Sequence, residues 1–217
     1  VFRECIPKIL DGKKEEGEVS VQSSYIYDKE NMKIVEQVLD YETNETKYCI
    51  YNILTDEFTY DIMYDYMGVT FVPCTGDEIN TAKGRIIRLA TKPVEYGTET
   101  KLDEQIITHI RKWLELTPEY EQFSIWNIKK SWVYERFETV SYLRALGDTA
   151  SGKSRFLKTL GYLHYKPITT SGAASVATVF RLIHKWSGTL LMDEADLQRS
   201  DEAQDMIKII NLGFEKG

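Results

Sequence analysis

The chain has 217 residues, 42% of them hydrophobic and 12% aromatic, enough for one large domain or two small ones with real cores. No apolar run approaches the ~20 residues of a membrane helix and no signal peptide opens the chain, so the expectation is a soluble, cytoplasmic protein. The formal net charge is −7, which speaks against a uniformly basic nucleic-acid coat.

Residues 18–95 read as β-rich. Val19–Tyr27, Lys33–Val38, Lys47–Ile53 and Phe58–Tyr64 are runs of β-branched and aromatic residues, separated by turns such as Asp28-Lys29-Glu30-Asn31 and Glu42-Thr43-Asn44-Glu45. A further strand, Arg85–Ala90, follows a loop holding Gly76 and Gly84. This spacing predicts a β-rich N-terminal domain over 1–95, a small antiparallel barrel or sandwich, with an OB-like barrel one option. Its tyrosines fit core and edge packing, and a base-stacking role is the sharper alternative. Cys5, Cys49 and Cys74 lie far apart, with no CxxC and no histidine pair nearby. They read as structural thiols of a reducing compartment.

Pro93 and Gly97 mark a boundary. A helical region over 96–140 follows. Leu102, Ile106, Ile110, Trp113 and Leu114 recur at helical spacing, with Thr100 as N-cap and Asp103 three residues on. Thr117-Pro118-Glu119-Tyr120-Glu121 opens a second helix, with Thr at N-cap, Pro at N1 and acids in the first turn, expected to run to about Phe137.

From Ser141 strands and helices alternate, as in an α/β core with a parallel sheet. The predicted strands are Tyr142–Leu146, Tyr165–Thr169 and Thr189–Met192. The predicted helices are Lys153–Leu163, Ser175–Trp186 and Asp201–Leu212. His109, His164 and His184 have no partners at triad or metal spacing and read as surface or capping residues.

Between the first strand and first helix stands Gly147-Asp148-Thr149-Ala150-Ser151-Gly152-Lys153-Ser154. This is the GxxxxGK[ST] pattern of a P-loop. Its glycines let backbone N–H groups wrap the phosphates of a nucleoside triphosphate, and the helix adds its positive N-terminal end. Lys153 would neutralise the β- and γ-phosphates, Ser154 would offer a hydroxyl to Mg2+, and Arg155 sits next to them in the helix. About 40 residues further on, Leu190-Leu191-Met192-Asp193-Glu194 is an apolar strand ending in acids. Asp193 would hold the metal and Glu194 would polarise the attacking water. The expected cofactors are ATP and Mg2+.

Asp193-Glu194-Ala195-Asp196 also spells the letters of the DEAD-box helicases, but the motif spacing is too compact for them. The spacing resembles the AAA+ class, and within it the superfamily 3 and minichromosome-maintenance-like helicase ATPases. The stretch from Tyr142-Leu143-Arg144 through the P-loop, Lys166-Pro167-Ile168, Ser171-Gly172-Ala173, the acidic strand and Ile209-Ile210-Asn211 resembles ATPases of bacteria, archaea and their mobile elements. The resemblance covers about residues 97–217. It implies an ATPase that acts on DNA, such as a replicative helicase, working as a homo-oligomeric ring. An ATP-dependent regulatory or assembly switch that binds a protein partner is the alternative.

Such a core also carries a sensor strand, an arginine finger and a helical lid. The 77 residues from Ser141 to Gly217 match about half of it, so poor hydrolysis by this stretch alone is expected. A finger is worth ~10³–10⁵ in rate where it operates. Arg181 and Arg199 could act across a subunit interface, or be helix-surface residues.

Charge is distributed unevenly. Residues 1–95 hold 11 basic and 18 acidic side chains, whereas 129–185 hold ten basic and three acidic. The basic segment could meet DNA phosphates, with Lys129 and Lys130 as contacts remote from the nucleotide. A solvated surface is the plainer reading.

Overall fold

The structure is a computed structural model and describes residues 20–81, 84–148, 151–170 and 175–192. The first predicted strand is split into β1 (Ser20–Gln22) and β2 (Tyr25–Asp28). Ser23 Oγ donates to Tyr25 O at 2.8 Å, a local turn that competes with the sheet ladder. β3 (Lys33–Leu39) and β4 (Thr46–Asn52) follow the prediction closely. The fourth predicted strand is also split, into β5 (Glu57–Asp61) and β6 (Tyr64–Tyr66). The Asp61 carboxylate accepts from the Ile62 N–H at 2.7 Å and bends the chain there.

β2–β3–β4–β5 form an antiparallel meander. Its register puts Val35 opposite both Ile26 and Ile50. One face thus gathers Ile26, Val35, Tyr48, Ile50 and Tyr64 into a core. The opposite face presents Glu36 beside Cys49. A strand that the sequence reading missed, β7 (Val69–Val72), pairs antiparallel with β6 and parallel with β1. The second sheet is therefore mixed, which departs from the all-antiparallel barrel or sandwich expected. One helical turn, α1 (Gly76–Ile79), follows. Its Glu78 carboxylate accepts the Thr75 N–H at 2.8 Å, the reciprocal half of a capping box. A minimal hairpin pairs β8 (Asn80–Thr81) with β9 (Gly84–Arg85).

The two predicted central helices are α2 (Glu99–Trp113) and α3 (Pro118–Ser131). Thr98, not Thr100, caps α2, accepting from the Lys101 N–H at 3.2 Å. α3 begins at Thr117-Pro118 as the sequence indicates, but ends at Ser131, followed by a 3-10 turn over Tyr134–Arg136. Arg111 donates to both Glu121 oxygens, at 2.8 and 2.7 Å, clamping α2 to α3. Ile106, Ile110, Ile125 and Ile128 pack with Leu160 of α4 (Lys153–Gly161).

Two short strands, β10 (Ile168–Thr169) and β11 (Leu190–Leu191), pair in parallel, with α5 (Val176–Trp186) between them in sequence. β10 is shorter than predicted because Lys166 takes a left-handed φ of 40° and Pro167 offers no N–H to a ladder. The segment predicted as strand Arg85–Ala90 borders β10 through an antiparallel bridge between Ile87 and Ile168. The core crosses residue 95. Leu39, Cys74, Ile79, Ile87 and Leu89 cluster with Ile168 and Trp186. Among the described residues no helix is long and apolar enough to cross a membrane.

Candidate nucleotide site

The chain enters α4 at Gly152, whose φ of 89° lies in the left-handed region. A side chain there would be strained, so glycine is what lets the chain swing from the loop into the helix. The Ser151 N–H donates to Asp148 O at 3.2 Å and tightens the loop. The Lys153 ammonium folds back over the loop, donating to Gly147 O at 2.5 Å and Asp148 O at 3.1 Å. Gly147, Asp148, Ser151, Gly152 and Lys153 are thereby brought together. Ser154 and Arg155, in the first turn of α4, are exposed. α4 has nine residues and no acid in its first turn, so no carboxylate of that turn offsets the positive end of its dipole.

Thr149, Ala150, Asp193, Glu194 and Arg199 lie outside the described residues, as does the predicted helix Asp201–Leu212. β11 ends at Leu191, and Met192 is the last described residue before Asp193 in sequence. Arg181 is exposed on α5.

One expectation about this region is corrected. Tyr142–Leu146 is not a strand, and no described strand pairs with it. Leu143 packs instead against the α2–α3–α4 cluster, while Tyr142 is 50% and Leu146 73% exposed. Docking one leucine among helices draws the segment away from a sheet edge. Two shallow surface hollows, of about 440 and 530 Å3, lie on α3 and α2, away from 147–155.

The histidines divide. His109 and His184 are exposed, but His164 is buried. Its Nδ1 lies 2.8 Å from Leu160 O and its Nε2 2.8 Å from Asn127 Oδ1. Burial pushes the imidazole below its ordinary value, against the pull of the Leu160 carbonyl. It is a buried tie between α3 and the end of α4, whose Leu160 carbonyl it caps, so the capping expectation holds for it and the surface one does not.

Sequence reasoning also missed the charge network behind β10. Lys166 Nζ lies 2.6 Å from Glu36 Oε1 and donates to Ser24 O at 2.9 Å. The Tyr165 hydroxyl donates to the same carboxylate, at 3.0 Å from Oε2. Burial pushes the Glu36 carboxyl up and the Lys166 ammonium down, while their mutual attraction pulls both back. Lys185 of α5 holds Glu78 at 2.9 Å, and Lys129 holds Asp103 at 2.9 Å and Glu99 at 3.6 Å. Three cations of the 129–185 segment are thus neutralised within the molecule.

No protein-family model matches the sequence, and no curated protein or solved structure matches it either.

Proposed function

We propose that this chain binds a nucleoside triphosphate, ATP with Mg2+, over Gly147–Ser154, and hydrolyses it as an AAA+-type ATPase that acts on DNA. The observation that carries the reading is a GxxxxGK[ST] segment whose last glycine, at φ 89°, opens α4 at Lys153. This couples the sequence pattern to an exposed helix start, the arrangement that anion binding needs. Lys153 would exchange its two loop carbonyls for phosphate oxygens, a better-matched partner for an ammonium. Ser154 Oγ and the Asp193 carboxylate are the donors that would hold Mg2+, a hard cation that takes oxygen ligands. The ion would neutralise charge developing on the phosphates. Glu194 would accept the proton of the attacking water.

Glu194→Gln tests the hydrolytic part. The carboxamide keeps size and polarity but cannot take a proton, so ATP binding is expected to persist while phosphate release stops. Unchanged phosphate release by that variant would move the base to another residue.

A second reading, a nucleotide switch that engages a protein partner, draws on the pairing of Lys129, Lys166 and Lys185 with carboxylates. Those pairs weaken the positive field that the sequence of 129–185 implies, and with it the electrostatic case for DNA.

A further inference from the structure

β5 is the outer strand of the meander, and no described strand pairs with its far side. All five of its residues are exposed. Long exposed edges are ordinarily shortened, bulged or guarded by cations and proline. This one carries Phe58 and Tyr60 with neither a cation nor a proline between Glu57 and Asp61. The register sets Phe58 beside Tyr51 and Tyr60 beside Cys49, so both aromatics lie on one face. Phe58 stacks on Tyr51 with ring centroids 4.8 Å apart. Glu57, Thr59 and Asp61 alternate onto the other face.

The charge around this edge is predominantly negative. Residues 48–82 contain six acidic side chains and no lysine or arginine. Among the described residues, none of Asp56, Glu57 and Asp61 forms a salt bridge. Asp56 and Asp61 accept from the Tyr51 hydroxyl and the Ile62 N–H, bonds that leave the negative charge in place. Lys47 lies over the Tyr60 ring at 4.7 Å.

We infer that the outer edge of β5 is a docking site for an extended protein segment in which basic and apolar residues alternate. An added strand satisfies the outward amides and carbonyls of β5 along its length. Its side chains then alternate between faces with a period of two. On one face they meet Phe58 and Tyr60, which select apolar residues. On the other they meet Glu57 and Asp61, which select lysine or arginine. A second copy of this chain does not fit. Antiparallel self-pairing centred on Thr59 sets Glu57 against Asp61, and parallel pairing in register sets each acid against itself. Like charges directly opposite are destabilising. The inference is independent of the nucleotide site.

The probe is a short capped peptide of alternating lysine and valine, titrated into the full chain. Its controls are a block isomer of the same composition and a copy N-methylated at alternate backbone amides. The alternating peptide is expected to bind, to slow amide exchange at Phe58 and Tyr60, whose amides face away from β4, and to lose roughly tenfold in affinity to a Glu57→Lys/Asp61→Lys protein. The N-methylated copy is expected not to bind. Equal binding by the block isomer overturns the inference, because charge alone then explains it. Protection elsewhere than β5, or self-association through β5 without peptide, also overturns it. If the double variant does not fold, the exchange pattern in the unaltered protein decides.

Discussion

Lys166 Nζ and Glu36 Oε1 are 2.6 Å apart, joining the loop before β10 to the middle strand of the meander. The lysine side chain is 3% exposed and the glutamate side chain 26%, so the ammonium is buried and the carboxylate largely so. Removing one partner strands the other in a poorly solvated place. Lys166→Met is therefore expected to cost about 3–5 kcal/mol. Glu36→Gln/Lys166→Met should cost less than the two single changes added together. Urea unfolding of all four proteins gives the interaction energy. Strict additivity would mean that the pair does not hold the two regions together.

Gly188 lies between α5 and β11, where an added Cβ would collide with Lys166 O and meet Lys166 Cβ at 2.8 Å. The first atom is backbone and cannot rotate away. Gly188→Ala is expected to destabilise by about 1–3 kcal/mol, the usual range for overpacking, and to lower the thermal midpoint. A midpoint equal to the parent's would show that Lys166 and its neighbours yield easily.

Glu78 couples stability to acid. Burial raises its carboxyl, but Lys185 and the Thr75 amide and hydroxyl lower it further, to about 2 from an ordinary 4.5. The folded value lies below the unfolded one. Its stabilisation is therefore complete above 4.5 and is lost as pH falls toward 2. Glu78→Gln should lower stability at neutral pH and flatten the decline of unfolding free energy across that window. A parallel decline in both proteins would assign the acid sensitivity elsewhere.

The DNA reading requires cations that are not already committed. Reversing Lys129 would break its contacts with Asp103 and Glu99, so it tests α2–α3 packing and not DNA binding. Lys130, 4.8 Å from the Phe137 ring, and the exposed Arg136 are the better pair. If DNA is the substrate, Lys130→Glu/Arg136→Glu should weaken single-strand binding and flatten its salt dependence by roughly one to two units of slope. ATP affinity should not change. No DNA binding by the parent protein at low salt would favour the switch reading.

Much of the local structure is legible in the residues because its causes are local. Alternation fixed β3 and β4, the Thr117-Pro118 pair fixed the start of α3, and periodicity fixed α5 to within one residue and α2 to within about three, its expected end near Leu116 falling at Trp113. Other elements had signals that were passed over. Thr75 and Glu78 stand at capping-box spacing. β6 and β7 are joined by Met67-Gly68 with φ of 53° and 74°, a turn that methionine does not advertise. What had no local signal was long-range. Glu36 with Lys166, Glu78 with Lys185 and Ile87 with Ile168 are far apart in sequence. Each pair meets only because the core crosses the apparent boundary. At the candidate site, the pattern located the start of α4, but Leu143 among the helices overrode the strand expected before it.

The central claim is that Lys153 and the loop before it bind a nucleoside triphosphate. Its direct test is equilibrium titration of a fluorescent ATP analogue, with Mg2+, into the parent protein and Lys153→Ala, with circular dichroism as the check on folding. Lys153 bonds only loop carbonyls among its described contacts, so the alanine variant should keep the fold. The account predicts saturable binding by the parent, competed by ATP, and loss of at least about tenfold in affinity in the variant, the equivalent of about 1.4 kcal/mol. Equal affinity in a folded Lys153→Ala protein, or no binding by the parent, would contradict it.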